Sequence, residues 1–453
     1  MQVVMNTSKE RFAMTKSNTL PFNFQAPKGR KFDLSFSGGH ITSDGGLLLL
    51  SKLDEKLGIT SDVAKILSRF DPRQKGKIQH TALSMLRQRV YGIAAGYEDL
   101  NDHNELKHDK LYQSIAGRDK ALSGASTLSR FENNSTREMC LAISIFLIES
   151  FIKSHRIPPK EIILDFDSTD DAVHGEQEGR FFHGYYNHYC FLPLYVFCGD
   201  QPLVAYLRTA GCDPAKHAWA ILSLLVKRFR EEWPDVRIIF RGDSDFSRHR
   251  MLGWCERNSV EYIIGIRRNK RLERMTSNIA KRTRRYFNRT GHKAKFFCNI
   301  YYKANSWRTK RRVICKSEHN KLGPNLRYVI TNIEGAAEKL YSELYCARGD
   351  MENRIKEQQL DLFADRTSSH KWWSNQFRLL LSTIAYLLME RFRELVLENT
   401  QFAKSQCGTI RLKLFKIGAI VRRNTRRVYV SLSSAFPYKS VFIKICNNIV
   451  ALE

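Results

Sequence analysis

Ten cysteines occur in this chain, yet none forms a Cys-x-x-Cys pair. That excludes nothing about packing, but it suits reduced thiols in a cytosol rather than a disulfide framework. No apolar segment opens the sequence; Lys9, Arg11, Lys16, Lys28, Arg30 and Lys31 stud a polar lead-in, so no secretory leader is expected. Long hydrophobic runs are missing as well. Leu141–Ile152 and Leu379–Met389 are the longest, both too short to span a bilayer, and Glu149 breaks the first. Repeats and low-complexity tracts are absent. The expectation is a soluble, cytoplasmic protein with no membrane partner. Acid is the remaining shortage: 46 Asp+Glu face 74 Lys+Arg, giving a net charge of +28. A polyanion is the partner such a balance selects.

The excess is uneven. Arg267 to Lys321 holds 19 basic residues against Glu273 and Glu318, and Lys404 to Arg427 holds eight against none. A single charge run is usually a solvated surface. Two dense blocks without compensating acids repel themselves and favour a partner that neutralises them. At 453 residues with 43% hydrophobic content, the chain can build two or three cores.

Texture along the chain suggests the division. Residues 1–35 read as a flexible basic leader, and 36–157 as an all-helical domain rich in Arg and His, with Gly58 as a helix C-cap. Pro158-Pro159 mark a boundary. Residues 158–266 alternate strands and helices in an α/β pattern. The basic stretch 267–333 contains β-like pieces at Phe296–Tyr302, Arg312–Lys316 and Tyr328–Asn332, which predicts an inserted β-rich subdomain. Helical pattern resumes over 334–400, and 401–453 form a basic C-terminal region.

Three acids stand out. Asp167 ends the run Glu161-Ile-Ile-Leu-Asp-Phe-Asp167, and Asp243 follows Val236-Arg-Ile-Ile-Phe-Arg-Gly. Each is a short apolar strand pattern that stops at a carboxylate. Glu352 lies in Tyr345-Cys-Ala-Arg348-Gly-Asp-Met-Glu352-Asn-Arg-Ile-Lys356, the first turns of a helix. Three carboxylates brought together from two strands and a helix can hold two divalent ions for in-line displacement at a phosphate. Taken singly, each is also what an exposed strand-end or helix-surface acid looks like.

The ordered set resembles the DDE transposases of bacterial insertion sequences. More narrowly it is similar to the cut-and-paste group with a Tyr-x2-Arg-x3-Glu-x6-Lys signature and a β-strand insertion. Tyr345, Arg348 and Glu352 match that spacing, Asp167-Ser168-Thr169 matches the first acid's context, and Arg241-Gly-Asp243 the second's. Asp44-Gly-Gly-Leu47, Gln88–His103 and Leu128-Ser-Arg-Phe-Glu132 resemble one subfamily, so the likeness covers roughly residues 35–400. It implies an α/β RNase H-like catalytic core, a mixed sheet flanked by helices, in which Asp167, Asp243 and Glu352 are the catalytic, metal-holding residues. It also implies two Mg²⁺ ions per site, with Mn²⁺ as a substitute, and double-stranded DNA as partner at the element's terminal inverted repeats and at the target. A homodimer in the synaptic complex and no small-molecule substrate follow, in a bacterial, nucleoid-associated setting. One position departs: the signature's Lys is Gln359, and Lys356, on the same helix face, is the candidate replacement.

Tyr345 and Arg348 are implied DNA contacts that hold a displaced strand; the alternative is that Tyr345 packs on the sheet. Trp307, in the basic insertion, is a candidate base-stacking wedge or a core residue, with Arg311 and Arg312 beside it as DNA contacts. Trp372 and Trp373 read as core. Asp165, two residues from Asp167, shares its strand face and is a candidate auxiliary ligand; Asp170, Asp171 and Asp245 read as turn or cap residues. His183, His188, Cys190 and Cys198 match no usual zinc spacing, and His174 is a candidate neighbour of the site. Two rivals remain: a metal-dependent nuclease that cuts without joining, and a non-catalytic DNA-binding transposase derivative.

Overall fold

A computed structural model describes residues 34–452; the leader expected over 1–35 lies almost wholly outside them. Strand β1 (Glu161–Ser168) shows why a sheet forms here. Ile162, Leu164 and Phe166 enter one apolar cluster, while Ile163 packs on another across the sheet. By alternation Asp165 and Asp167 share the face of Ile163. β2 (Leu194–Cys198) pairs antiparallel with β1, and β3 (Gln201–Tyr206) antiparallel with β2. On the other side β4 (Arg237–Gly242) runs parallel to β1, with Leu164 opposite Phe240, and β5 (Glu261–Ile266) runs parallel to β4. Strands covered on both faces must be apolar throughout, as Ile238, Ile239 and Phe240 are.

The basic stretch does not form a detached β unit. Its strands β6 (Ala294–Tyr302), β7 (Arg311–Asn320) and β8 (Gly323–Thr331) extend the same sheet, because β8 pairs antiparallel with β5, Ile330 opposite Ile264. The full order is β6-β7-β8-β5-β4-β1-β2-β3. An apolar parallel strand left at the edge would invite pairing with another chain, and the insertion covers it.

Helices α1 (Leu47–Leu57), α2 (Ala82–Ala95) and α3 (Arg137–Ser154) precede the sheet, and Gly58 closes α1 at φ 71°, the expected left-handed cap. α4 (Ala218–Glu232) and α5 (His249–Arg257) bury Leu222, Phe229 and Leu252 on the Leu164 face. α6 (Ser277–Thr290) joins that face from the insertion, packing on β6 and β7. α7 (Gly349–Leu362) and α8 (Trp372–Leu395) follow. α8 is buried nearly all round, with its polar side chains such as Gln376 and Arg393 hydrogen-bonded inside; its cluster runs from Leu47 through Tyr386 to Ile449. Trp372 and Trp373 pack against that cluster, as their context predicted.

Chain ends meet at a glycine pair. Gly45 and Gly46 donate their N–H groups to Ile417 O and Phe415 O at 2.8 and 3.1 Å, and a Cβ on Gly46 would fall 1.7 Å from Leu414 O. Asp44 adds an ion pair with Lys416 at 2.7 Å.

Asp165 is not free to hold a metal. It is buried, and Arg241 forks onto both its oxygens while donating to Leu344 O. Removing one partner strands a buried charge, so Asp165→Ala is expected to cost about 3–5 kcal/mol, whereas the paired change Asp165→Leu with Arg241→Met recovers most of it. Urea unfolding of both variants checks this; equal losses in the two would contradict it.

Candidate functional site

β1 carries Asp167 to the sheet's end, where Ser168 N–H donates to its Oδ1 at 2.9 Å. The next turn is held by Arg208, a residue the sequence reading did not single out. Buried, it donates to Leu192 O, Pro214 O and Lys216 O and to Ser168 Oγ at 2.7 Å. Nothing in its local sequence distinguishes it, since all four acceptors are remote or irregular in spacing.

β4 delivers Asp243, whose Oδ1 accepts from Asp245 N at 2.8 Å and so caps the short turn Ser244–Phe246. Gly265 on β5 allows this turn to lie close. A Cβ there would meet Tyr345 Oη at 2.7 Å and Ser244 N at 2.9 Å. Glu352 stands in the first turn of α7.

Arg348 joins the acids: Nη1 lies 3.3 Å from Asp167 Oδ2, and Nη2 donates to Glu352 Oε1. Burial pushes Asp167 up to about 7; Arg348 pulls the other way, and the charges of Asp243 and Glu352 add to the rise. Asp243 is raised as well, by burial first and then by Asp245. Negative charge is thus concentrated beyond what one guanidinium neutralises.

Among the described residues, no three acidic, His or Cys side chains stand close enough together to hold an ion. The donors nevertheless fit a hard divalent cation chemically. They are carboxylate oxygens, two of them desolvated, and Arg348 is the cation now set between two of the three.

From Asp243 and Arg348 a groove of about 690 Å³ runs across β5 and β8. Arg267, Arg268 and Arg327 line it with Tyr341 and the half-buried Tyr345, whose rings lie 5.4 Å apart. Cations and aromatic faces in one trough suit a phosphodiester strand with unpaired bases.

Other expected contacts lie elsewhere. Trp307 is 6% exposed, packs edge-on against Tyr302 and has Arg311 over its ring at 5.3 Å. A ring so enclosed offers no face to a base. Arg311 is tied to Glu256, and Arg312 donates to Ile333 O and Gly335 O at 2.7 and 2.6 Å. Their strand, β7, is four strands from β1. Lys356 is exposed one turn beyond Glu352.

Gln359 has a structural task. Its Nε2 donates to Asp171 Oδ1 at 2.9 Å and to Asp170 O at 3.2 Å, pinning the segment after Asp167 to α7. Asp170 Oδ2 in turn meets His188 Nε2 at 2.9 Å. Burial holds Asp171 well above the usual carboxylate range, with Gln359 opposing, and its Oδ2 finds no partner among the described residues.

A raised folded-state pKa gives stability that is full below the unfolded value, near 4, and lost as pH climbs through the folded one. Asp171→Asn is therefore expected to raise the melting temperature at pH 8, with the gain shrinking toward pH 5. A melting series in pH reads it; a gain independent of pH would refute the buried-carboxyl account.

No curated protein matches the chain. Among solved structures, the cryo-EM structure of a piggyBac transposase synaptic complex with hairpin DNA is similar over 91% of this chain and 85% of that one, at 12% identity and a TM-score of 0.43. The family model described as Transposase DDE domain group 1 matches residues 24–453. With nearly the whole chain covered, the protein belongs to that family of DDE transposases, DNA-binding enzymes that cut and rejoin DNA with divalent metal ions.

Proposed function

We propose that this chain is the cut-and-paste transposase of a bacterial insertion sequence, with Asp167, Asp243 and Glu352 as its catalytic residues. The carrying observation is the Arg348 bridge, which gathers Asp167 and Glu352 at one end of the basic groove while Asp243 lines that same end. The strand order β3-β2-β1-β4-β5, with β2 alone antiparallel to both its neighbours, supports an RNase H-like core.

In this reading the three carboxylates would hold two Mg²⁺ ions, or Mn²⁺ in their place. Ions held there would supply activation of the attacking oxygen and stabilisation of the leaving one at a phosphate. The protein's own groups do the rest. Asp167 has to be ionised, which burial resists near neutral pH. Arg348, on releasing its carboxylates, is placed to pair with a phosphate in two-pronged fashion. Tyr345 presents a ring to a base unstacked beside the cut, and Arg267, Arg268 and Arg327 neutralise the strand in the groove. The N-terminal helices would read the terminal inverted repeats, phosphate contacts supplying affinity and base contacts specificity. Two protomers would pair the two ends before the freed 3′-OH groups are joined to target DNA.

Asp167→Asn, Asp243→Asn and Glu352→Gln should each leave DNA binding within a few-fold. Cleavage should fall more than about 100-fold, as loss of several kcal/mol of transition-state stabilisation requires. The assay uses a labelled fragment carrying the DNA that flanks the gene, and scores joined as well as cut products. Near-wild-type cutting by any variant removes that residue from the site; cutting without joining by the unaltered protein favours a nuclease.

Tyr345→Ala should bind and nick such a fragment but stall before excision, losing about 1–3 kcal/mol of base stacking that is felt only once the base is out of the helix. A time course separating nicked from excised DNA measures it. Wild-type proportions would leave the ring a packing residue.

A further inference from the structure

The sheet separates two basic surfaces. On β7, Ile314 and Lys316 face the side of the catalytic candidates: Ile314 shares a cluster with Tyr341, and Lys316 stands over the Tyr341 ring at 5.8 Å. Val313, Cys315 and Ser317 face the other side, and there Ser317 Oγ bonds Thr283 Oγ1 of α6 at 2.8 Å. Asp167 lies with Ile163, on the Tyr341 side. α6 therefore covers the face opposite the acids. It is also four strands away in order from β1, about 20 Å along the sheet at the usual strand spacing.

α6 packs on β6 and β7 along one face, through Ile279, Thr283 and Phe287, with Arg282 lying over the Phe296 ring at 4.6 Å, and turns its other face outward. Thr283 is its one buried residue, and Lys281, Arg282, Arg284, Arg285 and Arg289 are all exposed. Among the described residues none of these five takes part in an ion pair, although Arg267, Arg268 and Arg311 nearby all do. Spacings of three and four set Lys281 beside Arg284 and Arg285, and Arg285 beside Arg289 and Arg282. Like charges so placed destabilise a helix unless something opposite covers them. A helix of 14 residues is about 21 Å long, enough to follow a duplex backbone across several phosphates.

We infer that the outward face of α6 is a second duplex-DNA site, independent of the groove at the acids and indifferent to sequence. It rests on the reading of the chain as a transposase and adds to it that one protomer holds two duplexes at once, on opposite faces of one sheet. The duplex on α6 cannot be the one being cut without bending round the sheet's β6 edge.

Stoichiometric titration of the full chain with a mixed-sequence duplex of about 20 base pairs, at about 50 mM salt where phosphate contacts are strong, tests this without any cleavage. The expected result is about two duplexes per protomer for the unaltered protein. Lys281→Gln/Arg284→Gln/Arg285→Gln should reduce it to one while nicking of the flanking-DNA fragment continues at its normal rate. Arg267→Gln/Arg327→Gln should remove the other duplex, and the conservative triple Arg284→Lys/Arg285→Lys/Arg289→Lys should keep both. One duplex per protomer in the unaltered protein overturns the inference. So does loss of nicking together with the α6 charges, which would place both surfaces on the same DNA. Absence of cutting in every protein would sink the catalytic reading yet leave the stoichiometry readable.

Discussion

The buried pair of Asp165 and Arg241 sets the frame on which the candidate site depends. Arg241 joins three segments at one point: β1 through Asp165, its own strand β4, and the irregular helical stretch before α7 through Leu344 O. Each segment carries one of the three acids a short way further on. Asp167 follows Asp165 by two residues, Asp243 follows Arg241 by two, and Glu352 begins the helix after Leu344. Ionic groups sealed from water contribute little net stability, because desolvation offsets their attraction. What the fork does supply is registration, since a guanidinium satisfies two carboxylate oxygens and a carbonyl in one orientation only.

Beyond the fork, the site holds its charge under tension. Burial and mutual repulsion raise Asp167 and Asp243, and among the described residues Arg348 is the single cation paired directly with the acids. A guanidinium is a diffuse, planar charge, whereas a small divalent ion is compact and binds oxygens at close range. Arg348 bridges Asp167 and Glu352 and leaves Asp243 outside the bridge; on the proposed function a compact divalent ion would draw on all three. Gln359 fits this economy. A lysine there would bring a second fixed cation to the segment after Asp167, where the amide instead bonds the buried Asp171.

Much of this was legible in the sequence because it is local. Apolar runs ending at Asp167 and Asp243, the helix opening around Glu352 and the cap at Gly58 all follow from neighbours within one or two turns. What escaped is what depends on distant partners. Trp307 reads as either a wedge or a core residue, and only Tyr302 and Arg311, which enclose it, decide between the two. Asp165 reads as a spare ligand until Arg241 is seen across the sheet. α6 was missed for another reason: Ile279, Thr283 and Phe287 do recur at helical spacing, but the five basic residues of the same helix mask so thin a stripe. Arg208 gave no signal at all.

The clasp between Gly45-Gly46 and the backbone at 414–417 bears on how the protein is made. These contacts join positions some 370 residues apart, and the helices after Gly46 share their apolar cluster with residues as late as Ile449. Closing so long a loop is slow, and its native contacts reward the chain only at the end. On a ribosome adding about 5–20 residues each second, the first helices wait many seconds for their partners to emerge. The sheet strands, all between Glu161 and Thr331, can pair during that wait. A message cut short after the sheet would leave the opening helices packed on one another and on β3, but without α8, the central helix of their cluster.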